Sequence, residues 1–383
     1  MKLTIDKSEL TPALAGAASV TPRRTEIPIV GNVKISAESD SLTIDATDLD
    51  RLLRITCRAD VKEPGVTTIP AQSLKAFIDT LPNGCQISMA SHDRRADTIL
   101  LSSGRARASF STLPAEDYPV MQDVEEGIAY TITGQNLARM LAFVESSMSS
   151  ETVRWYLCGA FLEVTAGKLT AVATDGHSLA TCSTDAPAGS DDAPSVIVPS
   201  TAIAEFARMI GASDGEFHLS YDSHKISLSD GRATLISKLI DGSYPDWRRV
   251  ASKQDGPVFS VSPDEMADAV KRVATQSSGK ESAVYMETKD GELLLACGGD
   301  HSLAMDSIAC EVQTGEPHPV SANSRLLLAA LSALGGDHPV NISYAGSGYP
   351  IFFDRPDDPE RVRIVMPMNK PRPSGMDTLT REA

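Results

Sequence analysis

The chain has 383 residues, of which 42% are hydrophobic and 22% are charged, values that are ordinary for a folded globular protein. Acidic residues outnumber basic ones by 51 to 35, a net charge of −16 that does not suit binding of nucleic acid by bulk attraction alone. No run of about 18 apolar residues occurs, and the first ten residues lack the apolar block of a signal peptide. We therefore expect a cytoplasmic protein that does not bind a membrane.

The residue types that mark common catalytic and metal sites are missing from the sequence. The six cysteines are far apart, and no pair has the two- to four-residue spacing of a zinc site. A phosphate-binding GxxxxGK[ST] loop, an HExxH motif and a GxSxG motif are all absent. The sequence thus predicts no catalytic residues, no metal and no cofactor.

The chain contains an internal repeat. Three helix-like segments each follow a short apolar strand and close on a glycine: IPAQSLKAFIDTLPNG (69–84), VPSTAIAEFARMIGAS (198–213) and VSANSRLLLAALSALGG (320–336). Pro70 and Pro199 are 129 residues apart, and Pro199 and Ser321 are 122 apart. A common period of this kind indicates tandem copies of one structural unit.

Three further series have the same period. Amphipathic stretches occur at 8–20, 134–148 and 262–276. Strand-like segments that end in Tyr-Pro occur at 111–119 and 237–245. A third series of similar segments occurs at 43–52, 171–180 and 295–304. We therefore predict three domains at 1–124, 125–252 and 253–370. The remaining residues, 371–383, are rich in Pro and polar types, which predicts a flexible C-terminal tail.

Each copy is predicted to contain two helices and several antiparallel strands, an α+β fold. Segments with two-residue alternation lie between the helices, and Asp230-Gly231 is a hairpin signal. Strands that pair between neighbouring copies would form continuous sheets with the helices on the other face. The predicted helices are 7–24, 70–81, 134–148, 199–209, 262–280 and 321–334.

The predicted helices are more basic than the rest of the chain. Their summed charge is +3, which leaves −19 for the strands and loops. One interpretation is a face that tolerates loose, sequence-independent contact with DNA. The alternative is that the helices carry mixed charge only for solubility.

The repeats and motifs together resemble the β subunit of bacterial DNA polymerase III, the sliding clamp family. The motifs that carry the resemblance are PIVGN (28–32), PGVTTIPA (64–71), SGRARASFSTLPAEDYP (103–119), ETVRWYLCGAFLE (151–163), VATDGHSLA (172–180), VIVPS (196–200), DGSYPDWRRV (241–250) and VMPM (365–368). The resemblance implies three tandem DNA-clamp domains and a head-to-tail homodimeric ring lined by helices. Such a ring encircles double-stranded DNA without sequence preference, confers processivity and catalyses no reaction.

The resemblance also implies a pocket that binds short linear motifs of the polymerase III catalytic subunit, the clamp loader, other polymerases and repair proteins. The matching positions are Leu157, Thr174, Gly176, His177, Leu179, Pro245, Arg249, Val250, Asn323, Ile364, Met366, Pro367 and Met368. Without the resemblance, Leu157, Val250 and Ile364 would be interpreted as core residues. Without the resemblance, His177 could be a ligand, a base or a turn residue. The turn residue is favoured because no second His lies nearby in sequence.

Family contacts with DNA map onto Arg24, Arg154, Trp155 and Tyr156, although Trp155 and Tyr156 also suit a buried aromatic pair. The dimer interface maps onto Arg105, Arg107 and Phe110 on one side and onto Ala274 and Thr275 on the other. Arg105 and Arg107 are expected to meet acidic residues such as Glu281.

Three positions near the implied pocket depart from the family pattern: Ser178, Leu326 and Asn369. They leave open an alternative, a specialised clamp paralogue with a different partner preference. The tail starts next to the implied pocket, and we hypothesise that it partly shields it.

Overall fold

The computed structural model describes residues 1–125, 127–277, 282–299 and 302–376, apart from the side chain of Ala96. These residues form two compact units. The first contains Met1–Ala138 and Pro187–Ile240, and the second contains Arg139–Ala186 and Asp241–Ala383. The second predicted domain, 125–252, therefore contributes to both units, and the three-domain division stays a prediction.

All six predicted helices are present, with shorter ends than predicted in most cases. The helices are α1 Lys7–Val20, α2 Ala71–Thr80, α3 Gly134–Glu145, α4 Ser200–Ile210, α5 Arg248–Ala251, α6 Pro263–Ala274 and α7 Ser324–Leu334. Helix α1 ends four residues early, where Thr21 precedes Pro22, because the residue before a proline disfavours helical backbone. The one-turn helix α5 was not predicted. No helix of the described residues is long and apolar enough to span a membrane.

The strands follow the predicted repeat. The first copy holds β1 Lys2–Asp6, β2 Asn32–Glu38, β3 Ser41–Thr47, β4 Arg51–Arg58, β5 Asp60–Glu63, β6 Gly65–Pro70, β7 Gln86–His92, β8 Arg95–Ser103 and β9 Ala106–Ser111. The second holds β10 Ile128–Thr133, β11 Gly159–Thr165, β12 Lys168–Thr174, β13 Ser178–Asp185, β14 Val196–Pro199, β15 Glu216–Tyr221, β16 Lys225–Ser229 and β17 Ala233–Lys238.

The third copy holds β18 Val258–Val261, β19 Ala283–Lys289, β20 Glu292–Gly299, β21 Ser302–Ala309, β22 Glu311–Thr314, β23 Val320–Asn323, β24 Val340–Ser343, β25 Ile351–Arg355, β26 Asp358–Val365 and β27 Pro367–Met368. Every copy thus contains two long helices, each preceded by a strand and followed by an antiparallel meander. The predicted α+β class with antiparallel sheets is confirmed.

Strands pair across the predicted domain boundaries, as expected. In the first unit, one sheet has the order β10-β15-β16-β17-β4-β3-β2-β6, and a second has the order β5-β1-β7-β8-β9. Strands β17 and β4, from the second and first copies, lie side by side with Ile236 opposite Leu52. Helix α1 packs on β3 and β4 and buries Leu10, Leu14 and Ala17.

The second unit repeats this arrangement. Its strands pair in the order β11-β12-β13-β26-β25-β24-β18-β22 and, in another sheet, β21-β20-β19-β23-β27. Strands β13 and β26, from the second and third copies, place Leu179 opposite Ile364, the same relationship as Leu52 and Ile236. This junction matters for function because Leu179 and Ile364 lie under a surface cavity.

The observed helix ends remove the predicted basic excess. Arg23 and Arg24 follow α1 rather than belong to it, and Lys280 lies outside the described residues. With the observed bounds, the six long helices sum to zero charge. The helix charge of +3 predicted from the sequence was wrong because the predicted α1 and α6 were too long. The helices are still less acidic than the rest of the chain.

Candidate functional site

A cavity of about 350 Å³ opens on the second unit. Four short segments form it: the 3₁₀ segment Thr152–Leu157, the turn between β12 and β13, the loop before α5, and the end of β26. Its lining residues are Arg154, Tyr156, Leu157, Thr174, Gly176, Ser178, Leu179, Pro245, Asp246, Trp247, Val250, Ile364 and Met366. Eight of the thirteen predicted peptide-binding positions are among them.

The floor of the cavity is an apolar cluster. Leu179 and Ile364, which face each other across β13 and β26, pack with Val172 and Phe352, and all four are buried. Above this floor, the more exposed apolar residues of the lining, such as Val250, offer hydrophobic area that a ligand can cover, at roughly 25 cal/mol per Å². The floor can therefore accept an apolar side chain.

The loop that leads to α5 is held by aromatic packing. The rings of Tyr244 and Phe161 stack with their centroids 4.8 Å apart. Burial raises the pKa of the Tyr244 hydroxyl above its ordinary value of 10. The stack anchors one side of the cavity to β11 and fixes where Pro245 enters the wall.

The turn at Thr174–Ser178 is closed by side-chain hydrogen bonds. The Asp175 Oδ1 atom accepts from the backbone N–H groups of His177 at 2.8 Å and of Ser178 at 2.7 Å. The Thr174 hydroxyl donates to the Ser178 carbonyl at 2.6 Å. Gly176 has a φ of 89°, and a Cβ there would lie 2.6 Å from Nη1 of Arg154. Glycine thus satisfies both the backbone conformation and the close approach of the Arg154 guanidinium.

Trp247 and Asp246 form part of the cavity wall but were not among the predicted positions. The Trp247 indole Nε1 donates to Oε1 of the buried Glu163 at 3.1 Å, and its ring lies under the Arg248 guanidinium at 4.6 Å. Both residues are in the DGSYPDWRRV motif, so the sequence signal was present. The side-chain direction of Trp247 was not predictable because it depends on Glu163 in β11.

Comparisons with known proteins bear directly on this site. Family models of the DNA polymerase III beta subunit match residues 1–122 with the N-terminal domain, 131–246 with the central domain and 248–369 with the C-terminal domain. The chain belongs to this family. The resemblance found in the sequence is confirmed, and so is the fold of three tandem clamp domains.

Full-length relatives agree. The chain is 33% identical over 373 residues to the beta sliding clamp of Caulobacter vibrioides, covering 96% of this chain and 100% of the relative. A crystal structure of the DNA polymerase III subunit beta from Pseudomonas aeruginosa superposes with a TM-score of 0.91 at 31% identity, covering 97% and 100%. A crystal structure of the sliding clamp from Pseudomonas aeruginosa bound to griselimycin superposes with a TM-score of 0.92 at 31% identity and has the same coverage. Sliding clamps are non-catalytic processivity factors, so the chain is not an enzyme.

Five predicted peptide-binding positions lie outside the cavity of this clamp family member. His177 is exposed at the rim, and its carbonyl accepts from Met366 N–H at 2.9 Å. Arg249 lines an adjoining depression of about 40 Å³, which Val250 shares. Pro367 and Met368 form β27 beside β23, where Asn323 caps helix α7 by accepting from Arg325 N–H at 2.9 Å.

The predicted DNA contacts separate into two places. Arg24 is exposed after α1 in the first unit, whereas Arg154 and Tyr156 line the cavity in the second. Trp155 is 56% exposed although its Nε1 donates to the Asp241 carbonyl at 3.0 Å. The interpretation as a buried aromatic pair is therefore wrong for Trp155, because the 3₁₀ segment turns its ring outward. Tyr156 remains half-buried.

The predicted interface residues lie on or beside an edge strand of the first unit and at a helix end of the second. Phe110 on β9 is half-buried and packs edge-on against Phe77 with ring centroids 6.2 Å apart, and Arg105 and Arg107 are exposed. Ala274 and Thr275 lie at the C-terminal end of α6, half-buried and exposed respectively. The expected acidic partner Glu281 lies outside the described residues.

Proposed function

We propose that this chain forms a head-to-tail homodimeric ring around double-stranded DNA and tethers replication proteins to it through the cavity on the second unit. The observation that carries the proposal is the open apolar floor of Leu179 and Ile364, in a chain whose relatives are sliding clamps. A short motif that inserts apolar side chains into this floor would fit its size and chemistry. The polymerase III catalytic subunit, the clamp loader, other polymerases and repair proteins are the proposed partners, in the cytoplasm.

Unpaired strand edges support the ring. Within the described residues, β9 pairs only with β8, and β21 pairs only with β20. An exposed strand edge carries unpaired backbone N–H and C=O groups and is a template for another strand. One edge belongs to the first copy of the repeat and the other to the third, so a head-to-tail contact between two chains would pair them. Phe110 of one chain and Ala274 and Thr275 of the next would then lie at that contact.

Weak attraction to DNA suits a ring that is retained by its topology. The six long helices sum to zero charge, and their basic residues include pairs such as Arg208 with Glu205 and Lys75 with Asp79. Lys7 is buried and donates to the Leu81 carbonyl, so its charge is not presented to DNA. Few free cations imply few released counterions and therefore low DNA affinity. A closed ring stays on DNA without high affinity.

One observation favours the alternative of a specialised paralogue. Ser178 is buried, and its hydroxyl bonds to Asp175 at 3.1 Å and lies 3.4 Å from the hydroxyl of Ser147. The rim at this position therefore offers no charged side chain to a ligand. A paralogue would retain the ring but prefer a different motif.

The test is solution mass by multi-angle light scattering across a dilution series. We expect about 81 kDa, twice the 40.7 kDa of one chain, at every concentration down to the detection limit. A mass of one chain at all concentrations would refute the ring. For the tethering role, depletion of the protein should stop DNA synthesis, whereas continued synthesis would favour the paralogue.

A further inference from the structure

The tail, residues 371–383, continues beyond the region that the family model matches, which ends at residue 369. It leaves the sheet at β27: the Lys370 N–H donates to the Met368 carbonyl at 2.9 Å, and the Lys370 carbonyl accepts from the Ser321 hydroxyl at 3.0 Å. Of the tail, 371–376 lies within the described residues. The start of the tail is therefore fixed to β23.

The described part of the tail lies away from the candidate peptide cavity. Pro371, Arg372, Pro373 and Ser374 line a different cavity of about 370 Å³, together with Tyr285 and other residues of the third copy. None of the tail residues from 371 to 376 lines the cavity above Leu179 and Ile364. This portion does not shield that pocket as hypothesised from the sequence, because its path follows the sheet of the third copy.

Met376 is inserted into the outer face of that sheet. Its exposed fraction is 1%, and it forms a cluster with the buried Tyr285 on β19 and Ala296 on β20. Alternate residues of a strand face opposite sides, and the neighbours of Ala296, Leu295 and Cys297, are buried on the other side. Met376 thus covers apolar side chains on a face that would otherwise be in contact with water.

The same cluster reaches the edge strand β21. Leu303 and Met305 on β21 and Leu294 on β20 are partly buried against the cluster. In the β20–β21 ladder, Met305 lies opposite Ala296. Gly375, with a φ of 85°, turns the chain next to Leu303. The described part of the tail therefore contacts β19, β20 and β21, the last of which has an unpaired outer edge in the described residues.

A polar contact accompanies the apolar one. The Tyr285 hydroxyl donates to Oε2 of Glu287 at 3.2 Å, and Nε of Arg372 lies 3.8 Å from the same oxygen. Burial, together with the Glu287 charge, raises the pKa of Tyr285 to about 12. The ion pair is partly exposed and contributes little by itself.

We propose that residues 371–376 of the tail are an intramolecular strap, anchored by Met376, that holds β21 in place for pairing with β9 of a second copy. The ring part of this inference rests on the proposed function. Edge strands are among the least protected parts of a sheet, and covering one face of β21 opposes its local unfolding. Fastening β21 in the free chain also lowers the ordering cost of association.

The first experiment follows backbone hydrogen exchange of the β21 amides in the full-length protein. Met376→Ser removes the apolar anchor, and Met376→Leu retains it as the matched control. Both are compared with wild type at a concentration where light scattering shows one oligomeric state for all three. We expect exchange in β21 to be roughly tenfold faster in Met376→Ser and unchanged in Met376→Leu. Unchanged exchange in Met376→Ser would overturn the strap.

The second experiment measures the dimer dissociation constant of the same proteins and of a variant that lacks residues 371–383. We expect a rise of about tenfold, or 1.4 kcal/mol, for the truncation and for Met376→Ser. Faster β21 exchange with an unchanged dissociation constant would overturn the role of the strap in pairing. A wild-type protein that is monomeric throughout would overturn the ring, while the exchange result would still decide whether the strap exists.

Discussion

The indole Nε1 of Trp247 donates a hydrogen bond to the buried carboxylate of Glu163 at a distance of 3.1 Å. Arg248, the first residue of α5, donates to the same oxygen at 2.6 Å, so two consecutive residues share one acceptor. Glu163 lies in β11, and Trp247 lines the candidate peptide cavity. One carboxylate therefore sets the position of the cavity wall.

Replacing Glu163 with Gln should loosen this wall. The change keeps an oxygen acceptor but removes its negative charge, so the bond from Trp247 becomes neutral and the bond from Arg248 is no longer an ion pair, with an expected loss of about 1–2 kcal/mol in the free energy of unfolding. A clamp-binding peptide should bind several-fold more weakly. Asp268→Asn breaks the exposed ion pair with Lys271 and is the control, with no expected change in the unfolding midpoint or in peptide affinity. Equal effects of both substitutions in urea unfolding and calorimetry would contradict the account.

Gly176 should tolerate alanine worse than an open glycine with a similar backbone conformation. Gly176 and Gly231 have φ values of 89° and 85°, but only at Gly176 would a Cβ meet another group, Nη1 of Arg154. Gly231→Ala measures the backbone strain alone, about 1 kcal/mol. We expect Gly176→Ala to cost more than Gly231→Ala and to weaken peptide binding, because Arg154 must move in the cavity. Identical losses of unfolding free energy with unaltered peptide affinity would rule out this role of Arg154.

An acidic side chain at Val250 should block the cavity. Val250 is 37% exposed and lines the cavity, so Val250→Asp places a charge where an apolar ligand group would sit, while the folded core is little disturbed. We expect at least a tenfold loss of peptide affinity, about 1.4 kcal/mol, by fluorescence anisotropy. Val120→Asp is the matched control, since Val120 is 80% exposed in the first unit. Retained affinity in Val250→Asp would place the ligand elsewhere.

The buried thiol of Cys182 should make the protein less stable at alkaline pH. Burial raises the pKa of Cys182 from 9 to about 11, so the unfolded chain loses this proton at a lower pH than the folded chain. The free energy of unfolding therefore falls as pH rises from 9 towards 11, by at most about 2–3 kcal/mol from this group. Urea unfolding between pH 8 and 11 should show a shallower decline for Cys182→Ala than for wild type. Parallel declines would show that Cys182 does not contribute.

The sequence predicted elements well where the signal was periodic and poorly where it depended on distant contacts. Amphipathic spacing located all six long helices, and the repeat predicted that strands pair between neighbouring copies, which the structure shows for β17 with β4 and for β13 with β26. The end of α1 was missed because the predicted helix was carried through Arg24, past Pro22, whereas the amphipathic stretch itself stops at Val20.

The prediction of the site residues was limited in the same way, by contacts between distant parts of the chain. Leu179 and Ile364, which were predicted from the family resemblance, do line the cavity. Trp247 and Asp246 were missed because the loop takes its conformation from Glu163, more than eighty residues earlier in the chain. The tail gave only a compositional signal for flexibility, and no local pattern predicted that Met376 packs on a face of the β19–β20 sheet.

The most direct test of the central claim is retention on DNA of different topology. The protein is loaded with its cognate clamp loader and ATP onto a nicked circular plasmid, separated by gel filtration in high salt, and then the plasmid is linearised. We predict that the protein stays with the circle in high salt, because few charges bind it to DNA, and leaves once free ends are created. Release from the intact circle in high salt, or equal retention on circle and linear DNA, would contradict a closed ring.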